Sequence, residues 1–157
     1  MRILILIILA LFAAPALAQD WSQYTNPRFG YGVDIPAGFE PDQSGDNGDG
    51  TSYYRAQGAA HLYVWGANLL EPKFETEVGQ AIAYSAGPDE GWNVTYQAST
   101  PEWASFSGIK SGQIFYQRMV LLCDRQSWAA FRLEYPSRDT KMDAVITRMV
   151  QSLRGNC

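Results

Sequence analysis

Within residues 128–135, Phe131, Leu133 and Tyr135 alternate with Arg132 and Glu134. A period of two belongs to a strand, and here it predicts one face in a core and one in water. Residues 113–123 predict the strand before it, and residues 124–127 the turn between them. Downstream, Met142, Val145, Ile146, Met149, Val150 and Leu153 fall on one stripe, which predicts an amphipathic helix over 138–153. Asp139 or Thr140 stands where its N-cap is needed, and Arg148 and Arg154 lie near the C-terminal end of its dipole.

Earlier in the chain, residues 21–24 and 31–35 predict two short strands joined by the Asn, Pro and Gly of 26–30, with Pro36 ending the second. Residues 41–50 carry no core-forming side chain and predict an exposed loop. Residues 51–56 and 61–66 predict a hairpin turning near Gly58. Phe74, Val78 and Ile82 repeat every four residues after Pro72, so a helix is expected there, ended by Gly87 and Pro88. Strands at 92–98 and 103–106 precede the one at 113–123. The order β-β-β-β-α-β-β-β-β-α predicts an α+β fold in which an antiparallel sheet is sandwiched by helices. No repeat or linker interrupts residues 19–157, which read as a single domain.

The first 18 residues are of another kind. Arg2 is followed by an apolar run from Ile3 to Ala14 and then by Pro15, Ala16, Leu17 and Ala18, the three parts of a secretory signal peptide cleaved after Ala18. The run is about a dozen residues, short of the roughly 20 that span a bilayer as a helix. Gln19 and Asp20 follow the cleavage site, where a lipoprotein would have cysteine. The mature chain is therefore expected to be periplasmic or secreted, without a membrane span. Removing 18 residues from 157 leaves 139, enough for one core.

The chain's formal charge of −4 becomes −5 when Arg2 leaves with the leader, and no Lys/Arg cluster is present, which argues against nucleic acid as a partner. Aromatic residues make up 13%, favouring strands. Cys123 and Cys157 form an even pair in a protein bound for an oxidising compartment, so a disulfide is expected. A strand over 128–135 and a returning helix over 138–153 each span about 25 Å, which brings the chain end back beside Cys123. A reactive thiol or a metal ligand is the alternative, but no third cysteine and no nearby histidine accompanies either one.

The segment Phe29-Gly30-Tyr31-Gly32-Val33-Asp34-Ile35-Pro36-Ala37-Gly38-Phe39 resembles the opening strand of the Mog1/PsbP-like superfamily. Asn47-Gly48-Asp49-Gly50, Trp103 with Ser107-Gly108, Gly112-Gln113-Ile114-Phe115-Tyr116 and Leu133-Glu134-Tyr135-Pro136 extend the likeness to a group of uncharacterised exported bacterial proteins. The resemblance covers most of the mature chain. It implies a central antiparallel sheet flanked by helices, an α/β/α sandwich used as a binding and assembly scaffold. A fold does not carry its function with it, and no residue role transfers position by position.

Candidate chemistry is sparse. His61 is the one histidine, so a nucleophile triad lacks its usual base, and Ser107 to Lys110 matches S-x-x-K only in letters, in strand rather than helix territory. Acidic residues read as scattered over loops and solvent faces. Asp42, Asp46 and Asp49 invite a calcium loop, but the sixth position is Asn47 rather than Gly and the twelfth is Tyr53 rather than Glu. No catalytic, cofactor or metal site is assigned. What remains is a candidate ligand or partner surface. It comprises Asp46 and Asp49, the outward members of the aromatic set Tyr53, Tyr54, Tyr63 and Trp65 (Tyr63 and Trp65 foremost), and Arg118, a charge inside an apolar strand. The leading expectation is an exported, non-catalytic binding or assembly protein of the bacterial cell envelope, with an unknown protein or small ligand as partner. The alternatives are a small secreted hydrolase using acidic residues and a structural subunit of an envelope complex.

Overall fold

The computed structural model describes residues 20–57 and 59–157. The signal peptide expected over residues 1–18, with its expected cleavage after Ala18, lies outside the described residues. Ten strands and two helices follow one another: β1 (Ser22–Asn26), β2 (Tyr31–Ile35), β3 (Glu40–Ser44), β4 (Gly50–Arg55), β5 (Ala60–Asn68), α1 (Phe74–Ala86), β6 (Asn93–Ser99), β7 (Trp103–Lys110), β8 (Gln113–Leu121), β9 (Ser127–Pro136), α2 (Met142–Ser152) and β10 (Arg154–Gly155). Seven of the strands form one antiparallel sheet in the order β3-β4-β5-β9-β8-β7-β6, and a small second sheet has the order β1-β2-β10.

The two faces of the large sheet are covered over different halves. On one face Leu62 and Val64 of β5 and Phe131 and Leu133 of β9 pack against Tyr31 and Val33 of β2 and against Met142, Val145 and Met149 of α2. On the other face Phe106 of β7 and Phe115 and Met119 of β8 pack beneath Phe74 and Val78 of α1. Phe131 is wholly buried, worth roughly 2–3 kcal/mol of transfer free energy. The first cover rests mainly on β4, β5 and β9, and the second mainly on β7 and β8. The α1 side of β4–β5 and the α2 side of β6–β7 are left open.

The sandwich expected from the sequence is thus completed on one side by a small sheet together with a helix. Three local expectations change. Residues 41–50 contain most of β3, whose five residues are all exposed and which is joined to β4 by backbone pairing with a register shift between Pro41 and Ser44. Arg132, expected in water, is 8% exposed, because the alternate face of β9 lies under α1 and the loop after it. Helix α2 begins at Met142, with no side-chain cap, since Asp139 pairs instead with Arg55. At the start of α1, Glu77 sends Oε1 back to the amides of Leu70 and Glu71 at 2.6 and 2.9 Å, taking up donors that a cap would not reach.

Candidate functional site: an aromatic cleft floored by Arg132

Register decides what the open half beside α1 presents. Tyr54, His61, Tyr63 and Trp65 share the α1 side of β4–β5, and β9 adds Trp128, Arg132 and Glu134 on the same side. The last turn of α1 supplies Tyr84 and Ser85, the following loop Glu90, and β8 Gln117. With Tyr63, Trp65, Trp128, Arg132 and Glu134 they line a cleft of about 460 Å³. Its walls are aromatic: Trp65 and Trp128 meet edge to face with centroids 6.2 Å apart, and Tyr63 and Tyr84 stand 40% and 62% exposed. Beyond Tyr63 the aromatic row runs on through His61 to Tyr54, with ring separations of 6.4 and 4.8 Å.

Arg132 is the polar hub of the floor. Its Nε donates to Glu134 Oε1 at 2.7 Å, Nη1 to Ser85 Oγ at 3.0 Å and Gln117 Oε1 at 3.4 Å, and Nη2 to Glu90 Oε2 at 3.4 Å. The guanidinium lies 4.1 Å from the Phe115 ring centroid and 5.5 Å from that of Trp92, whose indole also donates to Glu90 at 3.1 Å. A buried arginine needs this degree of satisfaction to be tolerated. Burial, and after it the Glu134 carboxylate, raise the Tyr63 phenol above its ordinary value, against the pull of Arg132.

The hydroxyl at the hub is already committed to other partners. Ser85, the hydroxyl nearest the hub, donates to the Ala81 carbonyl at 3.0 Å and accepts from Arg132, so no base receives its proton. Among the described residues no three His, Cys, Asp or Glu side chains gather around a metal-sized position. What the cleft offers is aromatic faces and two carboxylates at its rim.

The residues singled out in the sequence are divided by the structure. Tyr63 and Trp65 line the cleft, while Tyr53 turns into the core. Asp49 sits beside Tyr63 and Trp65 in a neighbouring shallow hollow, and its backbone carbonyl accepts from Gly66 N at 2.9 Å and the Tyr31 hydroxyl at 3.1 Å. Asp46 is exposed in the turn between β3 and β4. Arg118 points to the opposite face, beside Ser105 and Trp103. Cys123 and Cys157 stand at disulfide distance, with Cα atoms 5.9 Å apart. Arg132, Glu90, Glu134, Tyr84 and Trp128 were not legible as a site. A signal existed, since Trp128 and Ala130 share the face of β9 assigned to water, and apolar residues there announce a cover.

Both free edges of the large sheet are irregular. The pairing of β3 shifts after Pro41 and that of β6 shifts between Val94 and Tyr96, and such bulges discourage the addition of a partner strand.

No family model matches the chain, and no curated protein matches it in sequence. In three dimensions it has the Mog1/PsbP-like fold, an α+β arrangement of antiparallel sheet and flanking helices. Cyanobacterial PsbP (CyanoP) from Synechocystis sp. PCC 6803 superposes with a TM-score of 0.65 and 12% identity, covering 94% of this chain and 98% of that one. The Saccharomyces cerevisiae Ran-binding protein Mog1p superposes with a TM-score of 0.60 and 8% identity, covering 87% and 95%. At such identities the likeness is one of fold alone.

Proposed function

We propose that residues 19–157 form a single-domain, exported, non-catalytic binding or assembly protein of the bacterial cell envelope that engages a protein or small ligand through the aromatic cleft. One observation carries this reading: the floor around Arg132 is bonded within itself, while the aromatic walls stay open. A site built for catalysis keeps a proton-transfer group or nucleophile free, and a site built for recognition keeps contact surface free. The cysteine pair at disulfide distance and the leader-like first 18 residues support passage into an oxidising compartment. Among the described residues no helix is long and apolar enough to cross a membrane. Mog1p, named as a Ran-binding protein, is a case in which this scaffold serves protein binding.

The test is photo-cross-linking in living cells, with benzoylphenylalanine placed at Tyr63 or Tyr84 and, as controls, at Arg138 or Gln151 on the far side. A discrete adduct from the cleft positions alone is expected, or, for a small ligand, extra mass on the native protein that Tyr63→Ala removes. Equal yields at all four positions, together with a bare native mass, would count against the cleft.

A further inference from the structure

Two of the poorly exposed arginines in this fold are matched by acids: Arg55 by Asp139, and Arg132 by Glu90 and Glu134. Arg118 is not. Its Nη1 donates to Ser105 Oγ at 3.0 Å, its guanidinium lies 4.2 Å from the Trp103 ring centroid, and its Nε is buried without an acceptor among the described residues. Burial pulls its pKa down, and the neighbours that oppose this are the phenols of Tyr116 and Tyr96, not a carboxylate. A half-buried guanidinium with no carboxylate against it among the described residues keeps N–H groups free for a partner.

Its position supplies room for that partner. Arg118 faces the α2 side of β8, where α2 leaves the sheet uncovered, and a concavity of about 520 Å³ opens there between the sheet and the C-terminal tail. Arg125 and Arg154 also line it, against one acid, Glu102, which is already paired with Arg125 at 3.1 Å. Counted over side chains alone, the lining is richer in cations than in anions. Cys157, tied back to Cys123, fixes the tail that forms one wall.

We propose that this concavity binds a small ligand through an oxyanion, a carboxylate or a phosphate group, with Arg118 as the recognising side chain. The planar guanidinium presents paired N–H donors in the spacing of two such oxygens. Trp103 beneath it holds the plane, Ser105 fixes one donor, and Arg125 and Arg154 draw the anion in. The site lies on the opposite face of the sheet from the aromatic cleft and does not depend on it.

Calorimetric titration of the mature protein at low ionic strength, with inorganic phosphate and separately with citrate, tests this. Saturable one-site binding of at least one anion is expected. Arg118→Met should weaken it by about tenfold or more, and Arg118→Lys, which keeps the charge without the fork, by an intermediate factor. Arg125→Gln should change it by no more than about threefold, because that side chain is exposed and shared with Glu102. Because no acid is orphaned, Arg118→Met should unfold no earlier than the parent; if it fails to fold, the Lys variant decides. Phosphate binding alone identifies a phosphorylated ligand, and citrate binding alone a carboxylate. Absence of saturation by both, or affinity unchanged in Arg118→Lys and Arg118→Met, overturns the proposal.

Discussion

Arg132→Met removes the cation at the centre of the cleft floor while keeping most of the side chain's volume. Glu134 then loses its counter-charge, Glu90 keeps only the Trp92 indole, and Gln117 Oε1 loses its donor; Ser85 keeps its bond to Ala81. Breaking a buried ion pair from one side costs roughly 3–5 kcal/mol. The two carboxylate side chains are 25% and 32% exposed, so water replaces part of what is lost, and the low end, about 3 kcal/mol, is expected. For a chain of this size that lowers the unfolding midpoint by roughly 10 °C. Urea denaturation followed by tryptophan fluorescence reads the change. The double variant Arg132→Met/Glu134→Gln separates charge from packing. Neutralising the orphaned carboxylate should restore about 1–2 kcal/mol, and Glu134→Gln alone completes the cycle from which the coupling energy of the pair is taken. A loss under about 1 kcal/mol in the single variant, or no coupling in the cycle, would refute the hub as the organiser of the cleft.

Replacing Cys123 and Cys157 together by serine opens a bridge across a sequence separation of 34 and should cost about 4 kcal/mol in urea with an unchanged far-ultraviolet spectrum; equal stability sinks the bridge. Gly50 lies opposite Trp65, and a Cβ there would run into the Val64 carbonyl oxygen with Trp65 Cα 2.7 Å away, so Gly50→Ala should destabilise by about 1–3 kcal/mol and shift tryptophan emission. The Tyr31 phenol, held far above its ordinary value chiefly by burial, stays protonated in the fold while the unfolded chain ionises near pH 10. Stability is therefore full below that pH and falls as pH rises beyond it, and Tyr31→Phe should flatten this alkaline limb at the cost of about 1 kcal/mol, the bond to Asp49. A limb as steep in Tyr31→Phe as in the parent would remove Tyr31 from the account.

Hydrophobic period carried far where burial is one-sided and less far where it is not. Strand β8 and both helices follow their apolar repeats, because each buries one stripe, whereas β9 is covered on both faces and its repeat marked only one of them. Strand β3, Glu-Pro-Asp-Gln-Ser, buries nothing, so only its backbone pairing to β4 makes it a strand, and side-chain patterning is blind to that. The two-residue β10 is equally silent, and with it the division into two sheets. Tyr63 and Trp65 could be named as outward aromatics from their period alone. Their companions could not, because Arg132, Glu90 and Ser85 come together from β9, a loop and α1 across 42 and 47 positions of chain. Arg118 was conspicuous in sequence as a charge in an apolar strand, but whether an acid met it depended on what β7 placed alongside, and β7 placed a serine and a tryptophan.

The offset between the two covers has a consequence for how β8 would tolerate change. Gln117 and Arg118 are successive residues, one on the floor of the aromatic cleft and the other beneath the uncovered half of the opposite face. Inserting a single residue into the tight turn between β7 and β8 and letting the strand slip by one would turn each to the other face. Tyr116 would take the place of Gln117 on the cleft floor, Gln117 that of Arg118, and Arg118 that of Met119, wholly buried beneath α1. Both surfaces are thereby locked to one register, and an evolving lineage can retune them by substitution far more readily than by changing the length of that turn.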